Sequence, residues 1–76
     1  MNPAKVYVGI DVAKDWLDVA HRPGGEAWRV SSDQRGIADL VARLKALRPA
    51  LVVLEATGGL QIPVVAALAA AGLPAV

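Results

Sequence analysis

The chain contains no cysteine, which excludes a disulfide scaffold, a zinc–thiolate centre and a thiol nucleophile, and gives no hint of a secretory route. It also lacks a dominant charge: eight Lys and Arg against seven Asp and Glu leave a net charge of +1. No bulk field draws in a polyanion, so any nucleic-acid contact has to rest on local geometry or on protein outside these residues. Nor is there a long apolar run. The most apolar stretch, residues 60–76, falls short of the roughly 20 apolar residues that a spanning helix needs, and Gln61, Pro63, Gly72 and Pro74 interrupt it. The start, Met1-Asn2-Pro3-Ala4-Lys5, leads straight into a strand pattern without the apolar stretch and small-residue cleavage site of a signal peptide. These absences predict a cytoplasmic protein with no membrane span.

What is present is an ordered series of short elements. Residues 5–11 put Val6, Val8 and Ile10 on one face and Tyr7 and Gly9 on the other, the period of a strand. Residues 16–20 alternate again, with Trp16, Asp18 and Ala20 against Leu17 and Val19, and the two runs form a hairpin around residues 12–15. Arg22-Pro23-Gly24-Gly25 is a turn, and residues 26–31 make a third strand whose apolar residues are Ala27 and Val30. Ser32 or Asp33 caps a helix in which Ile37, Leu40, Val41, Leu44 and Leu47 recur at helical spacing, and Pro49 stops it. Leu51-Val52-Val53-Leu54-Glu55 does not alternate, which predicts a strand covered on both faces.

Ala56-Thr57-Gly58-Gly59 is a tight turn into a helix of about residues 60–71, with Pro63 in its first turn and Gly72 as a left-handed stop. That helix has no polar side, which predicts burial all round. Leu73-Pro74-Ala75-Val76 begins a further strand that the chain does not finish. The fold class is therefore α/β, with a mixed sheet and the order β-β-β-α-β-α-(β). Residues 1–76 read as a single, partial domain without repeat or linker. Below roughly 80 residues one core supplies only a few kcal/mol, so a partner, a metal or further sequence is expected to complete it.

A right-handed crossover through the first helix lays the fourth strand beside the first and parallel to it. Asp11 and Glu55 then leave the sheet at the same edge. Neighbouring strands lie about 4.8 Å apart, so two bare anions there repel unless a proton or a cation neutralises them. Mg²⁺ is often held by one or two carboxylates, several waters and a substrate phosphate, which makes phosphodiester chemistry the indicated reaction. Taken singly, Asp11 is also an ordinary turn former and Glu55 an ordinary acid at a helix start.

Val8-Gly9-Ile10-Asp11-Val12-Ala13-Lys14, then Leu17-Asp18-Val19-Ala20, then Leu54-Glu55-Ala56-Thr57-Gly58-Gly59, occur in an order and at distances that resemble the N-terminal domain of DEDD transposases. These are the insertion-sequence one-hundred-and-ten family, the bridge-RNA-guided recombinases. The likeness runs from about Val6 onward and includes Gly36-Ile37 and the stretch from Ala66 to Pro74. It implies a RuvC-like, ribonuclease-H-type fold and a four-acid site for Mg²⁺ or Mn²⁺, in which Asp11 matches the first acid and Glu55 the second. The other two aspartates belong past Val76, and the family's nucleophilic serine lies in a separate C-terminal domain that neither Ser31 nor Ser32 matches. The resemblance also implies DNA and a guide RNA as partners of the full-length protein, with this fragment inactive alone. Leu60 stands where relatives commonly carry an aromatic residue, a departure that leaves both acids untouched.

Lys14, three residues after Asp11, is a candidate phosphate or site contact and equally an exposed turn lysine. Trp16 and Trp28 are candidates for base stacking but suit a covered sheet face better. His21 is expected in solvent. Two further functions compete with the recombinase. One is a non-catalytic module that self-associates through the unfinished strand or the apolar last helix, giving a homo-oligomer. The other is a phosphate-binding domain of the actin-like or sugar-kinase kind, which would want a glycine where Ala13 stands.

Overall fold

The first strand, β1 (Tyr7–Val12), sits inside a four-stranded sheet of order β3-β2-β1-β4, in a computed structural model that describes residues 5–76. The expected reading of residues 1–4 lies outside the described residues. β2 (Trp16–Arg22) and β3 (Ala27–Ser31) follow as antiparallel neighbours. Helix α1 (Gln34–Leu47) then carries the chain across to β4 (Leu51–Ala56), which pairs in parallel with β1. Helix α2 (Ile62–Ala70) leads to the last residues, where Ala75 bridges Val52 on the outer side of β4. The Val52 amide donates to the Pro74 carbonyl at 2.8 Å and the Val76 amide to the Val52 carbonyl at 2.9 Å. A further parallel strand thus begins beside β4, as the sequence predicts. No helix among the described residues is long and apolar enough to cross a membrane.

Alternation decides where the core lies. Val8, Ile10 and Val12 of β1, Leu17 and Val19 of β2, Val30 of β3 and Val52 of β4 point to one face, where Leu40 and Leu44 of α1 and Val64 and Leu68 of α2 close over them. Both helices occupy that face. The expectation that β4 is covered on both sides is therefore corrected: Val53 is 42% exposed, and Glu55 is exposed beside it. α2 is likewise not buried all round, since only Val64 and Leu68 are buried and Ile62 is 65% exposed. Its alanines carry one methyl each, so leaving them in water forfeits little apolar burial, and alanine favours the helix without needing a polar face. In β3, Trp28 joins Val30 on the core side and Ala27 takes the other. Ala27 and Val30 are an odd number of residues apart and cannot share a face of a strand.

Local signals hold α1 in place. Asp33 caps it, accepting from the Gly36 amide at 2.8 Å and from the Ser31 hydroxyl at 2.7 Å. The helix ends as Arg48 turns left-handed (φ 51°) and its amide bonds the Leu44 carbonyl, just before buried Pro49. Gly36 is buried where α1 passes over β3, and a side chain there would overlap the Ser31 carbonyl. His21 departs from expectation. Its side chain is only 11% exposed, its Nδ1 lies 3.1 Å from the Pro23 carbonyl, and its Nε2 lies 3.7 Å from Glu26. Register explains this: His21 pairs with buried Val8 and so sits on the helix-covered face.

Candidate active site

The sheet face away from the helices is open among the described residues, and on it the sequence arranges two transverse rows. Asp11 is the register partner of Glu55 on β4 and of Asp18 on β2, and Asp18 is the partner of Arg29 on β3. Across the sheet the row reads Arg29, Asp18, Asp11, Glu55. Two residues back along β1, the parallel row reads Ala27, Ala20, Gly9, Val53. Because Ala27, Ala20 and Gly9 in that second row are small, with nothing beyond Gly9's chain neighbours within 4 Å of where its Cβ would stand, the row leaves a hollow of about 610 Å³ beside the charges.

A second hollow, of about 440 Å³, lies past the strand ends and is lined by Asp11, Lys14, Glu55, Thr57 and Leu60 among others. Both sequence-predicted acids border both hollows. Lys14, on the β1–β2 turn, shares the second with them, so the three candidate site residues come together at one edge. Among the described residues, no lysine, arginine or histidine pairs with Asp11 or Glu55; the ion pairs formed there are Arg29–Asp18, Arg43–Asp39 and His21–Glu26. The two acids are register neighbours with no basic partner among the described residues.

Asp18 is treated differently. The Arg29 guanidinium grips it at both oxygens, Nε to Oδ1 at 2.7 Å and Nη2 to Oδ2 at 3.2 Å, while lying 5.2 Å from the centre of the Trp16 ring. The hydrogen bond from Arg29 holds the Asp18 carboxyl below the usual carboxylate range, and the same bond raises the guanidinium. Asp18 lies in a motif that carries the resemblance, but the sequence assigns neither Asp18 nor Arg29 a site role. Trp16, Asp18 and Ala20 alternate on one face in the sequence, but the hairpin turns at residues 13–15, one residue tighter than the expected 12–15, and this sets Asp18 opposite Asp11. Trp28 lies on the other face, its ring 4.6 Å from the Arg43 guanidinium.

The donors at this edge are hard carboxylate oxygens. They suit Mg²⁺ or Mn²⁺, for which one or two carboxylates plus water and phosphate oxygens are an ordinary shell. The single histidine is on the opposite face and there is no cysteine, so nothing here favours a softer metal. Among the described residues, no group of three or more His, Cys, Asp or Glu gathers in a metal-holding arrangement. The fit is that of part of a ligand set, two carboxylates contributed together.

No family model and no curated protein matches the chain. Solved structures do. Over 95% of its length the chain superposes on RuvC of Thermus thermophilus in complex with a Holliday junction substrate, with a TM-score of 0.66 and 18% sequence identity. A second structure of Thermus thermophilus RuvC gives a TM-score of 0.62 at 22% identity over 92% of the chain. The fold is RuvC-like. This is the ribonuclease-H-type architecture that the resemblance implies, and the likeness at these identities is one of fold. The chain spans 62% and 59% of the two RuvC chains, about three fifths of their length.

Proposed function

We propose that the chain is part of a DNA recombinase of the DEDD transposase class, in which Asp11 and Glu55 are two of four acids that hold divalent metal. The observation that carries this reading is the pairing of Asp11 with Glu55, 44 residues apart in sequence, as exposed register partners on adjacent parallel strands. Two like charges at one sheet edge repel unless a proton or a shared cation neutralises them, and exposed carboxylates beside a hollow with room for a phosphate suit the cation. The RuvC-like fold and the binding of a Holliday junction by one RuvC neighbour support DNA as the substrate. On this reading the full-length protein has DNA as a partner, and a guide RNA as the resemblance implies.

When bound, Mg²⁺ or Mn²⁺ supplies activation of a water or hydroxyl nucleophile and stabilisation of the leaving oxygen. The chain's own residues do the positioning. Asp11 and Glu55, fixed by neighbouring backbone ladders, present their oxygens at one edge. The Gly9 row leaves space at their side for a backbone phosphate, and Lys14 borders the same edge as a phosphate contact. The remaining acids come from sequence outside residues 1–76, so the fragment alone has no turnover. The test is to place Asn at Asp11 and Gln at Glu55 in the intact protein. Strand exchange should be abolished while the domain melts as before; retained exchange refutes the assignment.

The self-associating module keeps one observation in its favour: Val76, beside the outer edge of β4, is 69% exposed, and Ile62 at the start of α2 is 65% exposed. Sedimentation of the chain at micromolar concentration tests it, with dimer or larger species expected and a monodisperse monomer excluding it. The kinase-like reading is disfavoured by Ala13, whose amide donates to the Trp16 carbonyl at 2.9 Å and so is not offered to a phosphate.

A further inference from the structure

Three carboxylates occupy consecutive strands in one row, yet only two of them face the site free. Asp18 stands opposite Asp11 and within the same hollow. Its oxygens are both taken by Arg29, from the next strand out. The Arg29 and Asp18 side chains are 56% and 47% exposed, and an ion pair in that setting adds little to folding stability. Its geometry is nevertheless well defined, because a two-point fork fixes orientation and the Trp16 ring supports the guanidinium from the side.

We propose that Arg29 is a positioning residue of the acid site: by occupying both oxygens of Asp18 it withholds that carboxylate from a cation held by Asp11 and Glu55. The inference rests on the reading of those two acids given above. Its physical sense lies in ligand number. Mg²⁺ keeps several coordination positions for water and phosphate oxygens, and a third carboxylate on the adjacent strand would fill one of them and neutralise the charge meant for the phosphodiester. Arg29 keeps the chain's contribution at two ligands.

The probe is Mn²⁺ alone, titrated into the 76-residue chain and followed by water-proton relaxation, with far-UV circular dichroism showing that each variant is folded. Arg29→Gln should bind Mn²⁺ on the order of tenfold more tightly, as expected for one more carboxylate ligand. Asp18→Asn alone should change little, because Asp18 is already engaged, whereas in the Arg29→Gln background it should remove the whole gain. That non-additivity distinguishes ligation from charge acting at a distance. Unaltered affinity in Arg29→Gln overturns the proposal, as does an equal weakening by Asp18→Asn in both backgrounds. Asp11→Asn should lose Mn²⁺ in either background; if it binds like the unaltered chain, the underlying acid-site reading fails and the role of Arg29 falls with it.

Discussion

Replacing Gly36 by alanine should destabilise the fold even though alanine is the better helix former. In an exposed helix interior the change is worth about 1 kcal/mol in alanine's favour. Here the added methyl would meet the Ser31 carbonyl and lie 2.6 Å from the Ser31 hydroxyl oxygen. The carbonyl belongs to the last residue of β3 and cannot rotate aside, so the start of α1 has to lift from the sheet. Forcing a methyl into a filled site costs about 1–3 kcal/mol, and immovable backbone places this case at the upper end. The net loss is then about 2 kcal/mol, which for a domain of this size lowers the melting temperature by about 8–16 °C. Thermal melting followed by circular dichroism measures it. Ala38→Gly, exposed on the same helix, serves as a control that should lose only the propensity term of about 1 kcal/mol. If Gly36→Ala melts at or above the native temperature, the packing of α1 on β3 is not as tight as described.

Acid should weaken the fold through Asp33, whose carboxyl is held below the usual range chiefly by the Gly36 amide and then by the Ser31 hydroxyl. A carboxyl lowered on folding contributes stability that is complete above its unfolded value of about 3.9 and lost as pH falls through the folded value. Melting temperature should therefore drop below about pH 4, and Asp33→Asn, which still caps the helix, should flatten that drop; an unchanged acid slope would contradict it. Leu44→Ala, at a fully buried position between α1 and the sheet, should cost about 2–5 kcal/mol in denaturant titrations, enough to unfold a domain this small, and a loss under about 1 kcal/mol would contradict the packing. Val53→Thr, on the open face, should change stability by less than about 0.5 kcal/mol in the isolated chain; a core-sized loss would mean that this face is covered.

Much of the architecture can be read from local pattern. The alternation of Val8, Ile10 and Val12, the helical spacing of Leu40 and Leu44, the Asp33 cap and the glycine stop at residue 72 each arise from near neighbours in sequence, and each element forms close to where that pattern predicts, with ends shifted by a residue or two. The errors share a cause. The unbroken apolar run of β4 and the all-apolar α2 suggested cover on every side, but hydrophobicity states what an element tolerates and not how many partners it meets. With α1 and α2 on the same face, Val53 and Ile62 stay largely in contact with solvent. His21 departs from expectation for a related reason: β2 runs two residues further than its clear alternation, carrying the imidazole to the covered face.

The sequence by itself determined the order of elements, the position of an acid at the end of each central strand, and the absence of thiol chemistry beside them. These are properties of composition and of short-range periodicity, which fixes how side chains alternate relative to one another. Only the tertiary structure decided that Asp11 and Glu55 share a row, that Asp18 joins them, and that Arg29 reaches across to hold it. Strand register is set by turn geometry and by burying one face of the sheet, and those are satisfied by the molecule as a whole.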